Sequence, residues 1–169
     1  MHHSSFVEPP GPLGLKQYHQ QIYRWADLGY HFVIDTEGKI YEGRNIRYMG
    51  AHAGTTLEAN RAVVAIRRGA TGRIADARKL DPDWGAIGIV VDGYFDSGIE
   101  PSAAQTEALT WLIGLLQEKY GARDEQVITH QEVKTRIVEA AQRTLGGGET
   151  TCPGSGLQAV VDAMRRPPR

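Results

Sequence analysis

"LGYHFVIDTEGKIYEGR", residues Leu28 to Arg44, decides how this chain is built. Its first half, YHFVID (30–35), alternates in polarity and is rich in β-branched and aromatic residues, as a half-buried strand is. TEG (36–38) supplies a turn and KIYEG (39–43) returns, so the stretch predicts a β-hairpin. Downstream, the apolar run Ala86–Val91 suits a central strand buried on both faces.

Helices are legible on either side. Leu15, Tyr18, Ile22 and Trp25 fall at i, i+3, i+7 and i+10, which predicts a helix from Leu15 that Asp27–Gly29 ends. His19 falls on that helix and is expected at the surface. Before it, SSFVEPPGPLG (4–14) reads as loop. The strongest helix runs from Ser102 to Tyr120. Ser102 and Gln105 make a capping-box pattern, Leu109, Leu112, Ile113 and Leu116 form one apolar stripe, and Gly121 supplies the stop. QVITH (126–130) reads as a short strand closing at His130, and Leu157–Met164 as a last helix. Residues 55–84 leave two readings open, a short helix with a surface excursion or a strand pair around the glycines. Strands mixed with helices on one short chain predict a single α/β (α+β) domain over residues 1–169, with a central mixed sheet flanked by helices.

The bulk numbers exclude several classes. With 169 residues, 41% hydrophobic and 23% charged, the chain has the composition of an ordinary globular domain. A net charge of −1 argues against a nucleic-acid partner. No apolar run approaches the roughly 20 residues that span a bilayer. MHHSSFVEPPGP (1–12) lacks the basic and apolar regions of a signal peptide, so no export address is expected in the chain as written. The compartment is left open, and a monomer is expected.

One cysteine, Cys152, stands in TTCPG (150–154). A lone thiol is an inert apolar residue, a reactive nucleophile or a metal ligand. Six histidines accompany it: His2, His3, His19, His31, His52 and His130. Catalytic zinc commonly takes three protein ligands and leaves a fourth position open, and two imidazoles with one thiolate suit it. No pair here has the short spacing of a zinc finger or of H-E-x-x-H, so spacing alone carries little.

Taken in order, HHSS (2–5), Leu28–Arg44, GAHAG (50–54), AIGIVVDGYFD (86–96), the TH at 129–130 and TTCPGSGL (150–157) resemble one family. The chain is similar to the zinc-dependent N-acetylmuramoyl-L-alanine amidases of the type-2 class, which include phage lysozyme-like amidases and the peptidoglycan recognition proteins. The likeness covers nearly the whole chain. It implies zinc ligands at His2, the first histidine of the HHS motif, at His130 and at Cys152, in a surface groove. It implies a catalytic role for Tyr30, beside the metal, and for Thr150, at the position that is lysine in the phage type and threonine in the recognition-protein type. His52 is expected to border the substrate groove and Arg44 to pair with substrate carboxylates. Trp84, Asn60 and Tyr94 are further groove candidates. His3 and His31 are expected to be structural, His31 because strand side chains alternate and Tyr30 takes the other face. The implied reaction is hydrolysis of the amide between N-acetylmuramic acid and the L-alanine of the stem peptide, acting on the cell wall. The partner is peptidoglycan or a muropeptide. Members that only bind peptidoglycan usually lack the cysteine, so Cys152 favours an enzyme over a recognition module.

Two departures from the family pattern set further expectations. Only Met1 stands where the family has an apolar strand before HHS, which predicts either that the chain is recorded from an internal start or that a loosely held His2 weakens zinc binding. His130 and Cys152 are 22 positions apart (152 − 130), farther than in the recognition-protein branch. Residues 131–149 are therefore expected to be an insertion, a helix running into a glycine-rich hinge, and residues 55–84 another.

Overall fold

Val33 and Val90 pack toward one side of the sheet, while Ile34, Ile89 and Val91 pack toward the other, and this alternation divides the core in two. The computed structural model describes residues 1–54, 57–79, 81–141 and 150–165. Its sheet has four strands: β1 (His2–His3), β2 (Phe32–Ile34), β3 (Ile40–Glu42) and β4 (Ile89–Val91). Their order is β1-β4-β2-β3; β4 is parallel to both of its neighbours, and β2 and β3 form the expected antiparallel hairpin. The hairpin turn is fixed by Asp35, whose Oδ1 accepts the N–H groups of Glu37 and Lys39. All three residues of β4 are buried, as its apolar run predicts for a strand covered on both faces.

Helix α1 (Gly11–Gln21) covers the Val33–Val90 side through Leu15. It starts four residues earlier than the periodicity suggests and stops earlier too. Arg24 takes a left-handed φ of 58° just past its end, and Ile22 and Trp25 lie outside the helix and are exposed. His19, not Ile22, follows Leu15 into the interior. It sits one turn on, at i+4, so the expectation of a surface histidine is wrong: His19 is buried and its Nδ1 accepts the Gly29 N–H at 2.9 Å.

The other side is covered by α4 (Ala103–Tyr120) and α6 (Ser155–Met164), through Leu109, Leu112, Ile113, Leu157 and Val161. The α4 cap forms as the sequence spells it. The Ser102 hydroxyl accepts from Gln105 N–H, Gln105 returns the bond to Ser102 N–H, and Gly121 ends the helix at φ 67°. Between β3 and β4 the chain forms two helices, α2 (Leu57–Arg67) and α3 (Ile74–Arg78), so the strand-pair reading of this stretch does not hold.

QVITH is not a strand. Asp124–Gln126 form a 3₁₀ turn, residues 127–129 are irregular, and His130 opens α5 (His130–Ala141). The physical reason is a cap. Glu132 Oε2 accepts the Thr129 N–H at 2.7 Å, and the Glu132 N–H donates to Thr129 Oγ1 at 3.3 Å. The same carboxylate takes both terminal nitrogens of Arg165 at 2.7 Å, which ties the start of α5 to the end of α6. The glycine-rich hinge expected near 146–148 lies outside the described residues.

His2 is held firmly, against expectation. It pairs with Val90 in the parallel β1–β4 ladder, and Met1 is buried in the core beneath it. The Met1 amino group donates to Ile128 O at 2.7 Å, and Met1 O accepts the His130 N–H at 3.0 Å. The burial of Met1 and these two backbone bonds, together with the β1–β4 ladder, fix His2 in the sheet.

Candidate metal and substrate site

His2 shares the α1 side of the sheet with Val90, and its ring meets Tyr30, His52 and His130 at centroid distances of 5.2, 5.1 and 4.7 Å. His130 arrives from the first turn of α5 and Cys152 from the turn before α6. The potential ligand atoms of His2, His130 and Cys152 all lie within 4.8 Å of one another, with Cys152 Sγ 3.7 Å from His2 Nδ1. His130 Nε2 is buried with no hydrogen-bond partner among the described residues. A tetrahedral zinc with bonds of about 2.0–2.3 Å sets its ligand atoms roughly 3.3–3.8 Å apart, so the trio fits such an ion after small adjustments.

Burial sets the electrostatics. It is the main reason that His2 loses its proton well below the usual imidazole range, with the positive chain terminus and His52 adding to it. Burial, then Lys134, brings His130 down to about 4. Both rings therefore stand neutral, with lone pairs available, as metal ligands must. Burial also pushes the Cys152 thiol up to about 11, which gives no support to a free thiolate nucleophile.

The TTCPG element is fixed by its neighbours. Thr150 Oγ1 accepts the Cys152 N–H at 3.1 Å, Cys152 O accepts the Gln131 N–H at 2.8 Å, and Thr151 Oγ1 donates to Asp96 at 2.9 Å. The Cys152–Pro153 peptide bond is cis. Gly154 and Gly156 press against the backbone of Phe95–Glu100 where a Cβ has no room. Tyr30 stands beside His2. Burial, reinforced by Cys152, raises its phenol pKa, so the hydroxyl keeps its proton and remains a donor.

His52 and Arg44 are placed differently from each other. The His52 side chain is 4% exposed, and its Nδ1 lies 2.9 Å from Asp83 Oδ1. A Cβ at Gly50 or Gly88 would collide with the His52 ring, so those glycines make its berth. The Asp83 carboxylate also accepts the N–H groups of His52 and Ala53. Burial opposes its charge, but His52 and these bonds outweigh burial and hold it below the usual carboxylate range. Arg44 braces a loop, its Nε donating to Leu28 O at 2.7 Å and its Nη1 to Met49 O at 3.2 Å. His3 and His31 are structural, as expected. His3 Nε2 lies 2.9 Å from Ser5 Oγ, and His31 Nδ1 accepts the Gly88 N–H at 2.9 Å. A cavity of about 1290 Å³ opens beside His2 and His52 and runs past Trp84 and Tyr48. Tyr94 instead stacks on His3, and the Asn60 side chain lies outside what the structure describes.

Sequence reasoning passed over Asp83, Thr129 and Glu132. The last two carried a signal, T-x-x-E ahead of a helix. Asp83 carried none, because its partners stand 30 and 31 positions away. Asp83→Ala is expected to leave the His52 and Ala53 N–H groups without their acceptor and the His52 ring without the carboxylate beside it, at a cost of about 2 kcal/mol. Thermal melting checks this; an unchanged midpoint would mean the loop finds other partners.

The fold and the trio define an open-sheet α/β domain with a candidate three-ligand metal pocket. A family model described as N-acetylmuramoyl-L-alanine amidase matches residues 1–155, and the chain belongs to that family. A Homo sapiens N-acetylmuramoyl-L-alanine amidase is 34% identical over 61 residues, a match spanning 31% of this chain and 11% of that one. Among solved structures, the endolysin N-acetylmuramoyl-L-alanine amidase LysCS from Clostridium intestinale has a TM-score of 0.56 at 22% identity, covering 96% of this chain and 79% of that one. A Drosophila PGRP-LB variant in complex with tracheal cytotoxin has a TM-score of 0.57 at 21% identity, covering 96% and 77%. At such identities the solved structures speak for the fold, which is that of the amidases and peptidoglycan recognition proteins.

Proposed function

We propose that this chain is a zinc-dependent amidase that hydrolyses the bond between N-acetylmuramic acid and L-alanine in peptidoglycan. The observation that carries the reading is the convergence of His2, His130 and Cys152 to within 4.8 Å, on a chain of the amidase family. Two neutral imidazoles and one thiol, with His130 Nε2 buried and unpaired, are the donor set that zinc takes. When bound there, zinc supplies Lewis-acid activation of water and of the amide carbonyl.

The chain's own groups do the rest. Tyr30, kept protonated by burial, donates a hydrogen bond to the carbonyl oxygen as it gains negative charge. Thr150 Oγ1 accepts from the Cys152 N–H and keeps its own proton for a second donation. His52, wedged between Gly50, Gly88 and Asp83, buttresses the His2 ring and closes one side of the pocket. Arg44 acts on substrate through the loop that it holds in place. We take the domain to work as a monomer, with all three ligand residues on its own chain, and residues 55–84 and 131–149 to be additions to the family core. A muropeptide ligand accords with the tracheal cytotoxin bound by the PGRP-LB variant.

Purified peptidoglycan incubated with the protein, then analysed by mass spectrometry, tests the reading. New L-alanine amino termini are expected, lost with a chelator and restored by zinc. Retention on peptidoglycan with no product, with zinc present, would make the chain a recognition module instead.

A further inference from the structure

The α2–α3 hairpin carries a charge that the rest of the chain does not. Residues 57–79 hold six basic residues (Arg61, Arg67, Arg68, Arg73, Arg78, Lys79) against Glu58 and Asp76, a net +4. With a total of −1, the remaining residues carry −5. On α2 and the turn residue after it, Ala62, Val63 and Ile66 are half-buried, whereas Arg61, Val64, Ala65, Arg67 and Arg68 are exposed. Arg61 and Arg68 are seven residues apart and share one helical stripe, about 10 Å long. Arg73 and Lys79 both lie against Asp76, at 3.9 and 2.9 Å, while Arg61, Arg67 and Arg68 meet no carboxylate among the described residues.

Both roots of this arm are at the candidate site. It leaves the chain just after His52 and Ala53 and returns at Asp83, which accepts the N–H groups of both. A polymer lying in the site therefore passes the arm. Among the described side chains of the arm, the exposed apolar ones are Val64, Ala65 and Ala70, with no exposed aromatic or leucine among them to anchor a lipid surface. We propose that the arm is an electrostatic landing surface for polymeric peptidoglycan, through the carboxylates of its stem peptides. This rests on the peptidoglycan reading above and adds that capture of the polymer is separable from the chemistry at the metal site. Like-signed charge beside a cleft raises the local concentration of an oppositely charged polymer, and salt removes the effect.

The test is cosedimentation of the whole chain with insoluble peptidoglycan freed of attached phosphate polymers, so that stem-peptide carboxylates are its anions. The natural chain is expected to bind about tenfold more tightly at about 50 mM than at about 500 mM salt. R61E/R67E/R68E should bind roughly tenfold more weakly at low salt and respond little to salt. R61K/R67K/R68K, which keeps the charge, should bind like the natural chain, and peptidoglycan with its carboxylates converted to amides should bind all three equally. Equal binding by the glutamate variant, or undiminished binding to the amidated polymer, overturns the proposal. So does stronger sedimentation with anionic lipid vesicles than with peptidoglycan. Binding is read without cleavage. If charge-dependent binding persists but no L-alanine ends appear, the landing surface stands and the amidase reading falls. If a soluble muropeptide is cut and the variants bind alike, the landing surface falls alone.

Discussion

Cys152→Ala is expected to empty the metal site and stop cleavage together. Structural zinc binding is worth about 10–16 kcal/mol across four ligands, so one ligand accounts for roughly 3–4 kcal/mol, a loss of about 10²–10³ in affinity. Alanine offers no donor atom, and His2 and His130 alone leave the group of three one ligand short. The fold should survive. The side chain is small, and the turn around it is held by backbone bonds to Thr150, Gln131 and Phe95 that do not involve sulfur. Metal content by mass spectrometry, release of L-alanine ends and thermal melting would be read on one preparation. A variant that keeps cutting peptidoglycan without zinc would remove the metal from the mechanism altogether.

Gly156→Ala should do the reverse, sparing every ligand while disturbing the frame that presents one. The Gly156 N–H donates to Phe95 O at 3.0 Å, and a Cβ there would run into the Ile99 carbonyl. The obstacle is backbone on both sides, so no rotamer change relieves it. Overpacking of this kind costs about 3 kcal/mol or more, which for a chain of this size lowers the melting midpoint by roughly 6–12 °C. Because α6 begins at Ser155, the displaced turn carries Cys152 with it, and zinc affinity should fall along with stability. A melting midpoint within a degree of the natural chain would show that the 95–100 loop moves aside freely.

The parts of the fold that were legible in the sequence are those whose causes are local. The TEG turn, the Ser102–Gln105 cap and Gly121 each act within a few residues, and each element stands where they place it. The start of α5 was missed although its Thr129–Glu132 cap is local, because Val127 and Ile128 look like a strand and the bond that holds them is distant: Ile128 O accepts from the Met1 amino group. His19 was misjudged by a single turn, since helix phase decides burial and Arg24 ended the helix early. The trio His2, His130 and Cys152 was not legible from spacing. It was readable through resemblance, and the structure brings its atoms together. Asp83 was invisible because only folding brings it to His52.

His2 and Cys152 stand 150 positions apart, near opposite ends of the chain. Bringing two such points together in a flexible chain costs about 4 kcal/mol in loop entropy. A metal held by both would therefore behave as a removable crosslink, closing nearly the whole chain into a ring. Capture of the ion would come late in folding, after β1 has joined β4 and α6 has docked. Such an ion would then report that β1 and α6 have both found their places in the fold.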